Sequence, residues 1–248
     1  MKIITSRTNL QIKAVSALHH AKYRAEQQQF IAEGMRTCTT LIESNIELII
    51  NLFATESMLT QAKKLVSEEK IILVSPHVME KISTAVTPSG LLGIFTIPPQ
   101  PFFDQLTSGI VLVRIANPGN MGTLIRSAAA MNKKTVVIIE GADPWSPKVV
   151  QASAGTIGLV QLFKISWQEL LQNKTLPLCA LVVSSNKQPE EINLKEYLLV
   201  IGSEAHGIPE EWIKNCEEKI TLAMPGTVES LNAAVAGSIA LYLASQNN

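Results

Sequence analysis

Apolar runs of strand length alternate with helix-like segments along the second half of the sequence, and this alternation constrains the fold more than any other feature. Residues 110–116 form a nearly continuous apolar run, typical of a strand buried on both faces of a parallel sheet. Further strands are predicted at residues 135–139, 160–165, 179–183, 198–201 and 219–222. Helices are predicted at residues 121–131, 147–154, 167–171, 209–214 and 230–244. This order predicts a mostly parallel α/β sheet, whose ligands usually bind at the carboxyl ends of its strands.

The first hundred residues also mix helical and strand-like patterns, and they end in a proline-rich break. Helices are predicted at residues 10–25, 34–42 and 57–66, the last with Ser57 as its N-cap, and strands at residues 49–54, 71–74 and 91–97. Pro98, Pro99 and Pro101 interrupt any regular element. The sequence therefore predicts a small α/β domain over residues 1–97, a linker over 98–106 and a second domain over 107–248.

Composition excludes several classes of protein. The 248 residues carry 21 Lys and Arg against 21 Asp and Glu, so a chain coated in basic charge is excluded. A disordered chain is excluded too, because 46% of the residues are apolar. Three widely spaced cysteines favour a reducing cytoplasm, with the thiols packed as small hydrophobic groups. We expect a cytoplasmic location, no signal peptide and no membrane-spanning run.

The loop after the first strand of the second domain reads Asn-Pro-Gly-Asn and opens a helix. Pro118 and Gly119 form the turn, and Asn120 is predicted to cap the first helical N–H groups. Arg126 stands farther along that helix among apolar neighbours. Two interpretations stay open: its side chain reaches past them to water, or it points into a cleft where it meets a phosphate or a developing oxyanion.

Two further loops place polar side chains after predicted strands. In the first, glycines surround Glu204 and His206, and Gly202 would allow a ligand to approach the backbone closely. Glu204 is either a solvated turn residue or a partner for Arg126 or a substrate hydroxyl, whereas a lone loop histidine is more often a surface residue than a base. In the second, Ser230 and Asn232 stand at a helix start, as ordinary caps or as ligands of a polar group.

Common cofactor and catalytic signatures are missing from the sequence. It contains neither a GxGxxG nor a GxxxxGK[ST] phosphate loop, no Cys and His spacing for zinc, and no GxSxG nucleophile turn. We therefore expect no metal, and any cofactor must be held by something other than these glycine motifs.

Taken together and in this order, the three loops resemble the motifs of the SpoU (TrmH-type) family of RNA ribose 2′-O-methyltransferases, part of the SPOUT superfamily. The matching stretches are NPGNMGTLIRSAAA, LVIGSEAHGIPEEW and ITLAMPGTVESLNAAVAGSIAL. The stretches SRTNLQIKAVSAL and FIAEGMRTC resemble, more loosely, the small RNA-substrate-binding domain that precedes many members. The resemblance implies an α/β trefoil-knot domain, S-adenosylmethionine as cofactor and a homodimer. The hydrophobic pattern alone would suggest an ordinary doubly wound sheet, since threaded chains are rare.

The resemblance also assigns site residues. The catalytic positions of the family's motifs fall on Asn120, Arg126, Glu204, Ser230 and Asn232. The stretches that correspond to its cofactor-binding backbone contain Val183, Ser184, Ile201, Gly202, Ile220, Met224 and Leu231. No chemistry is assigned to Ser203 or His206. All five catalytic positions are filled, which favours an active enzyme over a vestigial knot.

The mechanistic hypothesis centres on Arg126. It would either take the proton of a ribose 2′-hydroxyl or stabilise the alkoxide while an RNA phosphate receives that proton, and the high pKa of arginine favours the electrostatic role. Asn120 and Glu204 would orient Arg126 or the ribose. The alternatives are a non-catalytic RNA-binding protein with a vestigial knot and an ordinary nucleotide-binding α/β enzyme. Ribosomal RNA is favoured over transfer RNA, because a substrate-binding domain precedes the catalytic one.

The balanced total charge conceals a basic segment at the amino terminus. Residues 1–36 contain six basic side chains against two acidic ones, a net charge of +4. We predict that its basic residues contact RNA phosphates, namely Arg7, Lys13, Lys22, Arg24 and Arg36. So few charges predict a shallow salt dependence, with selectivity resting on RNA shape.

Overall fold

The computed structural model describes residues 3–185, 187–224, 226 and 231–246, without the side chain of residue 194. The chain divides into two compact units. The first unit combines Met1–Pro99 with Asp143–Gly158, and the second combines Gln100–Ala142 with Leu159–Asn248. Each unit carries one sheet.

Helices and strands alternate through the described chain. The helices are α1 Leu10–Ala17, α2 Ala21–Gln27, α3 Met35–Ser44, α4 Leu59–Leu65, α5 Pro76–Ile82, α6 Pro118–Ala130, α7 Pro147–Ala152, α8 Trp167–Asn173, α9 Glu210–Ile213 and α10 Ala233–Gln246. The strands are β1 Gln29–Glu33, β2 Ile49–Ala54, β3 Ile71–Leu73, β4 Leu91–Thr96, β5 Gly109–Val113, β6 Thr135–Ile139, β7 Gln161–Lys164, β8 Leu178–Leu181, β9 Leu198–Gly202 and β10 Glu218–Ile220.

The sheet of the first unit has the order β1-β4-β2-β3. Strand β4 pairs antiparallel with both β1 and β2, whereas β2 and β3 are parallel. Ile12 and Val15 of α1 pack with Val78 and Ile82 of α5 in the core on this sheet. The predicted helix over residues 10–25 is two helices, because the chain turns after Ala17 before α2 begins.

The second unit contains the parallel sheet that the sequence predicts. Its six strands have the order β10-β8-β9-β5-β6-β7, and every neighbouring pair is parallel. All five residues of β5 and all five of β6 are buried, as expected for strands covered on both faces. The α/β class is thereby confirmed, and the carboxyl ends of the strands β5 and β9 come to lie side by side.

One segment of the predicted second domain packs in the first unit. Within Asp143–Gly158, the ring of Trp145 lies 4.8 Å from that of Phe30. Asp143 Oδ2 accepts a hydrogen bond of 2.6 Å from Arg24 Nη2. The observed division therefore differs from the predicted one, because the chain leaves the second unit at Ala142 and returns to it at Leu159.

The three cysteines and one of the residues predicted to contact RNA are buried. Cys38, Cys179 and Cys216 are all buried and unpaired as disulfides. Arg24 is only 4% exposed and donates to Asp143 and to the carbonyl oxygens of Leu18 and His19. The prediction that Arg24 contacts RNA is therefore wrong: its guanidinium is consumed by an internal ion pair and holds the turn between α1 and α2. No helix within the described residues is long and apolar enough to cross a membrane.

Candidate active site

The loop between β5 and α6 is fixed by an asparagine other than the predicted one. The side chain of Asn117 caps α6, because its Oδ1 accepts from the N–H groups of Gly119 at 2.8 Å and Asn120 at 3.3 Å. The predicted cap, Asn120, lies inside the first turn of the helix instead. Its side-chain amide is therefore available for contacts outside the helix.

Asn120, Glu204 and Asn232 come together from three loops that are far apart in the sequence. Asn120 Nδ2 donates a hydrogen bond to Glu204 Oε1. Asn232 Nδ2 lies 3.4 Å from the same carboxylate oxygen and 3.3 Å from Asn120 Oδ1. The opposite end of the Asn232 amide caps α10, since Oδ1 accepts from the N–H groups of Ala234 and Val235 at 2.9 and 3.2 Å. Asn232 is therefore a cap, as one of its two interpretations predicts, and its role toward a ligand stays a prediction.

Arg126 forms no hydrogen bond with this cluster. Its side chain is exposed on α6, and it forms no hydrogen bond or ion pair with any other residue that the structure describes. Glu204 is thus held by two amides rather than by a guanidinium. The residue after Arg126 links two helices: Ser127 Oγ of α6 lies 2.7 Å from Ser238 Oγ of α10. The remaining predicted catalytic residue, Ser230, lies outside the described residues.

An open cleft adjoins the Asn120–Glu204–Asn232 cluster, because Glu204 belongs to the cluster and also lines the cleft. Five of the predicted cofactor-binding residues line this cleft, namely Val183, Ile201, Gly202, Met224 and Leu231. Two do not: Ser184 lies outside the lining, and Ile220 is fully buried, with its carbonyl oxygen accepting from Val182 N–H at 2.9 Å. The prediction missed Ala236 of α10, and it missed neighbours on the same strand ends, including Leu181, Val182, Ser203, Thr221 and Leu222. Their position after parallel strands is the signal that could have found them.

The lining of this cleft fits an adenosine-like group with an apolar body and a polar edge. Aliphatic side chains form most of the wall. The backbone N–H groups of Leu222 and Met224 donate to no other described residue, so they are available to a ligand. Such a site binds through backbone groups and needs no glycine-rich phosphate loop. Among the described residues no group of three metal ligands comes together.

Gly202 is required for a reason other than the predicted one. A Cβ atom at this position would lie 2.3 Å from the carbonyl carbon of Gly207 and 2.5 Å from the nitrogen of Ile208. Gly207 N–H in turn donates to the carbonyl oxygen of Ser203 at 2.8 Å. The missing side chain therefore lets the loop fold back on its own strand, and this turn holds Glu204 at the edge of the cleft.

The remaining basic residues predicted to contact RNA are on the surface of the first unit. Arg7, Lys13, Lys22 and Arg36 are all exposed. Lys22 Nζ lies 3.9 Å from Glu26 Oε1, one helical turn away, and both side chains are at least half exposed. Exposed pairs of this kind contribute little and are readily exchanged for another anion.

Comparison with known proteins agrees with both units. The model of the SpoU rRNA Methylase family matches residues 108–242, and that of the MRM3-like substrate binding domain matches residues 9–93. A 23S rRNA (guanosine(2553)-2′-O)-methyltransferase of Bacillus subtilis is 24% identical over 247 residues, which cover 98% of each chain.

Two solved structures share the fold. An RNA 2′-O ribose methyltransferase is 27% identical with a TM-score of 0.83, and the match covers 99% of each chain. An AdoMet-bound rRNA methyltransferase from Sinorhizobium meliloti is 24% identical with a TM-score of 0.87, covering 99% of this chain and 97% of the other. These likenesses confirm the predicted class, a SPOUT methyltransferase domain preceded by a small α/β domain. The chain belongs to the SpoU rRNA methylase family.

Proposed function

We propose that the protein transfers a methyl group from S-adenosylmethionine to a ribose 2′-hydroxyl of ribosomal RNA. The observation that carries the proposal is the double role of Glu204, which lines the apolar cleft and accepts hydrogen bonds from Asn120 and Asn232. The Asn120–Glu204–Asn232 cluster therefore borders a cleft whose lining suits adenosine. Family membership and the substrate-binding domain match support RNA as the substrate.

The cleft would hold the cofactor through its apolar wall and through the free N–H groups of Leu222 and Met224. When bound, S-adenosylmethionine supplies a sulfonium methyl group that a nucleophilic oxygen can attack. We assign Asn120, Glu204 and Asn232 to holding the ribose, because together they offer both donors and acceptors to a hydroxyl. Ser230 belongs to the same proposal through its position in the third motif.

Arg126 is the group that we assign to the reacting oxygen. A guanidinium offers positive charge and N–H donors but no acceptor, so Arg126 would stabilise the alkoxide electrostatically. The bound cofactor would supply the methyl group to this oxygen, and Arg126 would stabilise the negative charge that develops on the oxygen. The hydroxyl proton passes to an RNA phosphate oxygen. The absence of an anionic partner for Arg126 among the described residues supports this role, because no internal carboxylate competes for it.

We further propose that the protein acts as a homodimer in the cytoplasm. One side of α10 exposes an apolar stripe that begins with Leu231, two residues before the helix. Leu231, Val235, Ile239 and Tyr242 are 39–53% exposed. A second copy of the chain would cover this stripe. Three unoxidised, buried thiols agree with a reducing compartment.

The proposed function is tested by a methyl-transfer assay on ribosomal RNA, followed by mapping of the methylated nucleotides. Ribosomal RNA from a strain lacking the gene is incubated with purified protein and isotopically labelled S-adenosylmethionine, and 2′-O-methylated nucleotides are mapped. We expect one or a few positions to gain the label. Arg126→Lys keeps the charge but loses the planar fork, so we expect kcat to fall about 100-fold with little change in cofactor affinity.

Arg114→Lys is the matched control, because this exposed arginine of the same unit pairs with Glu140 and lies outside the cleft lining. Wild-type rates in Arg126→Lys would contradict the role of Arg126. No label in any RNA, together with no S-adenosylmethionine binding in calorimetry, would favour the alternative of a non-catalytic RNA-binding protein.

A further inference from the structure

A groove on the first unit has the features of a ligand site and is unconnected with the methyl-transfer chemistry. It lies between helices α1 and α2 and the sheet strands β1, β2 and β4. Its volume is about 440 Å³, inside the range of ~300–1,000 Å³ usual for small-ligand sites. The floor is apolar and includes Leu18, Ile50 and Ile94. Every residue of the lining belongs to Met1–Pro99.

The lining carries an unusual concentration of uncommitted polar groups. Four primary amides face the groove, those of Gln11, Gln27, Gln29 and Asn51, together with Tyr23. None of these five side chains forms a hydrogen bond with another described residue, and Tyr23 is 43% exposed. An amide offers two donors and two acceptor lone pairs. The groove thus presents donors and acceptors that no other described residue uses, beside the Tyr23 ring, which has an edge contact with His20.

A β-bulge contributes two of the lining residues. Strand pairing passes from Ile49↔Phe95 directly to Asn51↔Ile94, which leaves Ile50 as an extra residue. Consecutive side chains of a regular strand point to opposite faces, yet both Ile50 and Asn51 line this groove. Because of the bulge, Asn51 lies on the same side of the strand as Ile50, so both residues line the groove. Bulges are enriched beside functional sites because they redirect a side chain in this way.

The charges around the groove favour an anionic ligand. The lining contains no carboxylate. Exposed Lys13 lies on α1 between the lining residues Gln11 and Ala14, and exposed Lys22 precedes Tyr23 on α2. Lys22 pairs with Glu26 at 3.9 Å, and both side chains are exposed. A ligand that joins a flat, hydrogen-bonding ring to a phosphate matches this arrangement, whereas an apolar peptide would leave the four amides unpaired.

We propose that this amide-lined groove binds an unpaired base of a single-stranded RNA segment. Tyr23 stacks on the base, the amides hydrogen-bond its edges, and Lys13 and Lys22 contact the flanking phosphates. Glutamine and asparagine amides form paired hydrogen bonds with base edges, so the groove selects among bases as well as holding them. The inference rests on the proposed function for its choice of RNA as ligand.

The experiment measures binding of the full chain to short, labelled single-stranded homopolymer RNAs by fluorescence anisotropy, without cofactor. We expect the wild type to prefer at least one base and to bind single strands more tightly than a hairpin duplex. Tyr23→Ala and Gln27→Ala/Asn51→Ala should each weaken the preferred RNA about tenfold and reduce the preference between bases. Gln105→Ala is the control, because that glutamine is exposed in the other unit and lies outside the groove lining.

Tyr23 and Gln27 are exposed, so thermal melting should be unchanged in Tyr23→Ala and in Gln27→Ala. Photo-crosslinking of the same RNA should label a peptide that contains Tyr23. The groove assignment is wrong if these variants bind RNA as the wild type does, or if the wild type binds all four homopolymers and the duplex equally.

Measuring methyl-transfer kinetics distinguishes a wrong groove assignment from a failure of the proposed function. In the groove variants the KM for ribosomal RNA should rise while kcat stays at the wild-type value. An unchanged KM would overturn the groove assignment and leave the proposed reaction standing. If the wild type methylates no RNA, the proposed reaction fails, and the binding titrations still decide the groove on their own.

Discussion

At the scale of single residues, three asparagines of the candidate active site make different hydrogen bonds. Asn117 and Asn120 both suit the start of α6, and local preference alone cannot choose between them. The structure gives the cap to Asn117, which releases the Asn120 amide to meet Glu204. Asn232 serves both purposes with the two ends of one amide. Residue type therefore indicated these positions, and only the packing of three loops assigned their tasks.

The buried cysteines lead to a prediction about reactivity and pH. Burial raises the pKa of Cys38, Cys179 and Cys216 to about 12 each, from 9.0. At pH 8 only about one folded thiol in 10,000 is a thiolate, so a disulfide reagent should leave the native protein almost unmodified and titrate three thiols after denaturation. Rapid reaction of a native thiol would contradict this burial.

The same shift predicts the direction of alkaline unfolding. Above about pH 9 the unfolded chain releases thiol protons that the folded chain retains up to about pH 12. The folded state then binds more protons than the unfolded state, so the free energy of unfolding should fall as pH rises through this window. Replacing Cys38 with Ala should reduce that slope, measured by urea denaturation at a series of pH values.

At the scale of elements, α10 shows how composition predicts packing. Its Ala, Gly and Ser residues predict a helix that approaches its neighbours closely, and the structure confirms this. A Cβ atom at Gly237 would lie 2.5 Å from Leu124 Cδ2 and 2.7 Å from Ile201 Cδ1, so glycine lets α10 pack against α6 and β9. The opposite side carries the exposed apolar stripe, which the proposed dimer would bury.

Ile239→Glu tests that dimer. The substitution places a charge in the middle of the stripe, where Ile239 is 39% exposed. Burying two such carboxylates across a twofold axis should weaken dimerisation by about 100-fold. Sedimentation velocity over a range of concentrations measures the effect. Leu159→Glu is the matched control, since Leu159 is 50% exposed and lies outside α10; an equal loss in both variants, or none in either, would count against an interface on α10.

At the scale of the whole molecule, the first unit is discontinuous in sequence. The segment Asp143–Gly158 supplies α7, the Trp145 ring against Phe30 and the carboxylate that pairs with buried Arg24. The family match to the methylase nevertheless runs through this segment without a break. The unit that resembles a substrate-binding domain is thus completed by a segment that follows it in the chain, so the two units cannot be separated by a single cut.

We therefore expect a fragment of residues 1–99 to be unstable on its own. Without the segment, Arg24 loses its ion-pair partner Asp143, and Phe30 loses the ring of Trp145. Removing one partner of a buried ion pair costs about 3–5 kcal/mol, a large part of the ~5–15 kcal/mol that stabilises an ordinary domain. Joining residues 143–158 to the fragment through a flexible linker should restore cooperative thermal unfolding, monitored by circular dichroism. A fragment of residues 1–99 that melts cooperatively at the same temperature with and without them would refute this expectation.

The amino-acid sequence predicts most of the elements and the residue types of the motifs. Apolar runs located β5 and β6 because strands buried on both faces leave an unmistakable local pattern. The strand β1 was missed, and α5 was missed although Ser75 and Pro76 form a recognisable helix start. Three outcomes are visible only in the folded chain: Arg24 is buried, Ile220 is buried outside the lining of the cleft, and Glu204 accepts from two amides. Those outcomes depend on contacts between residues distant in sequence, whereas hydrophobic periodicity and capping preference are set by near neighbours.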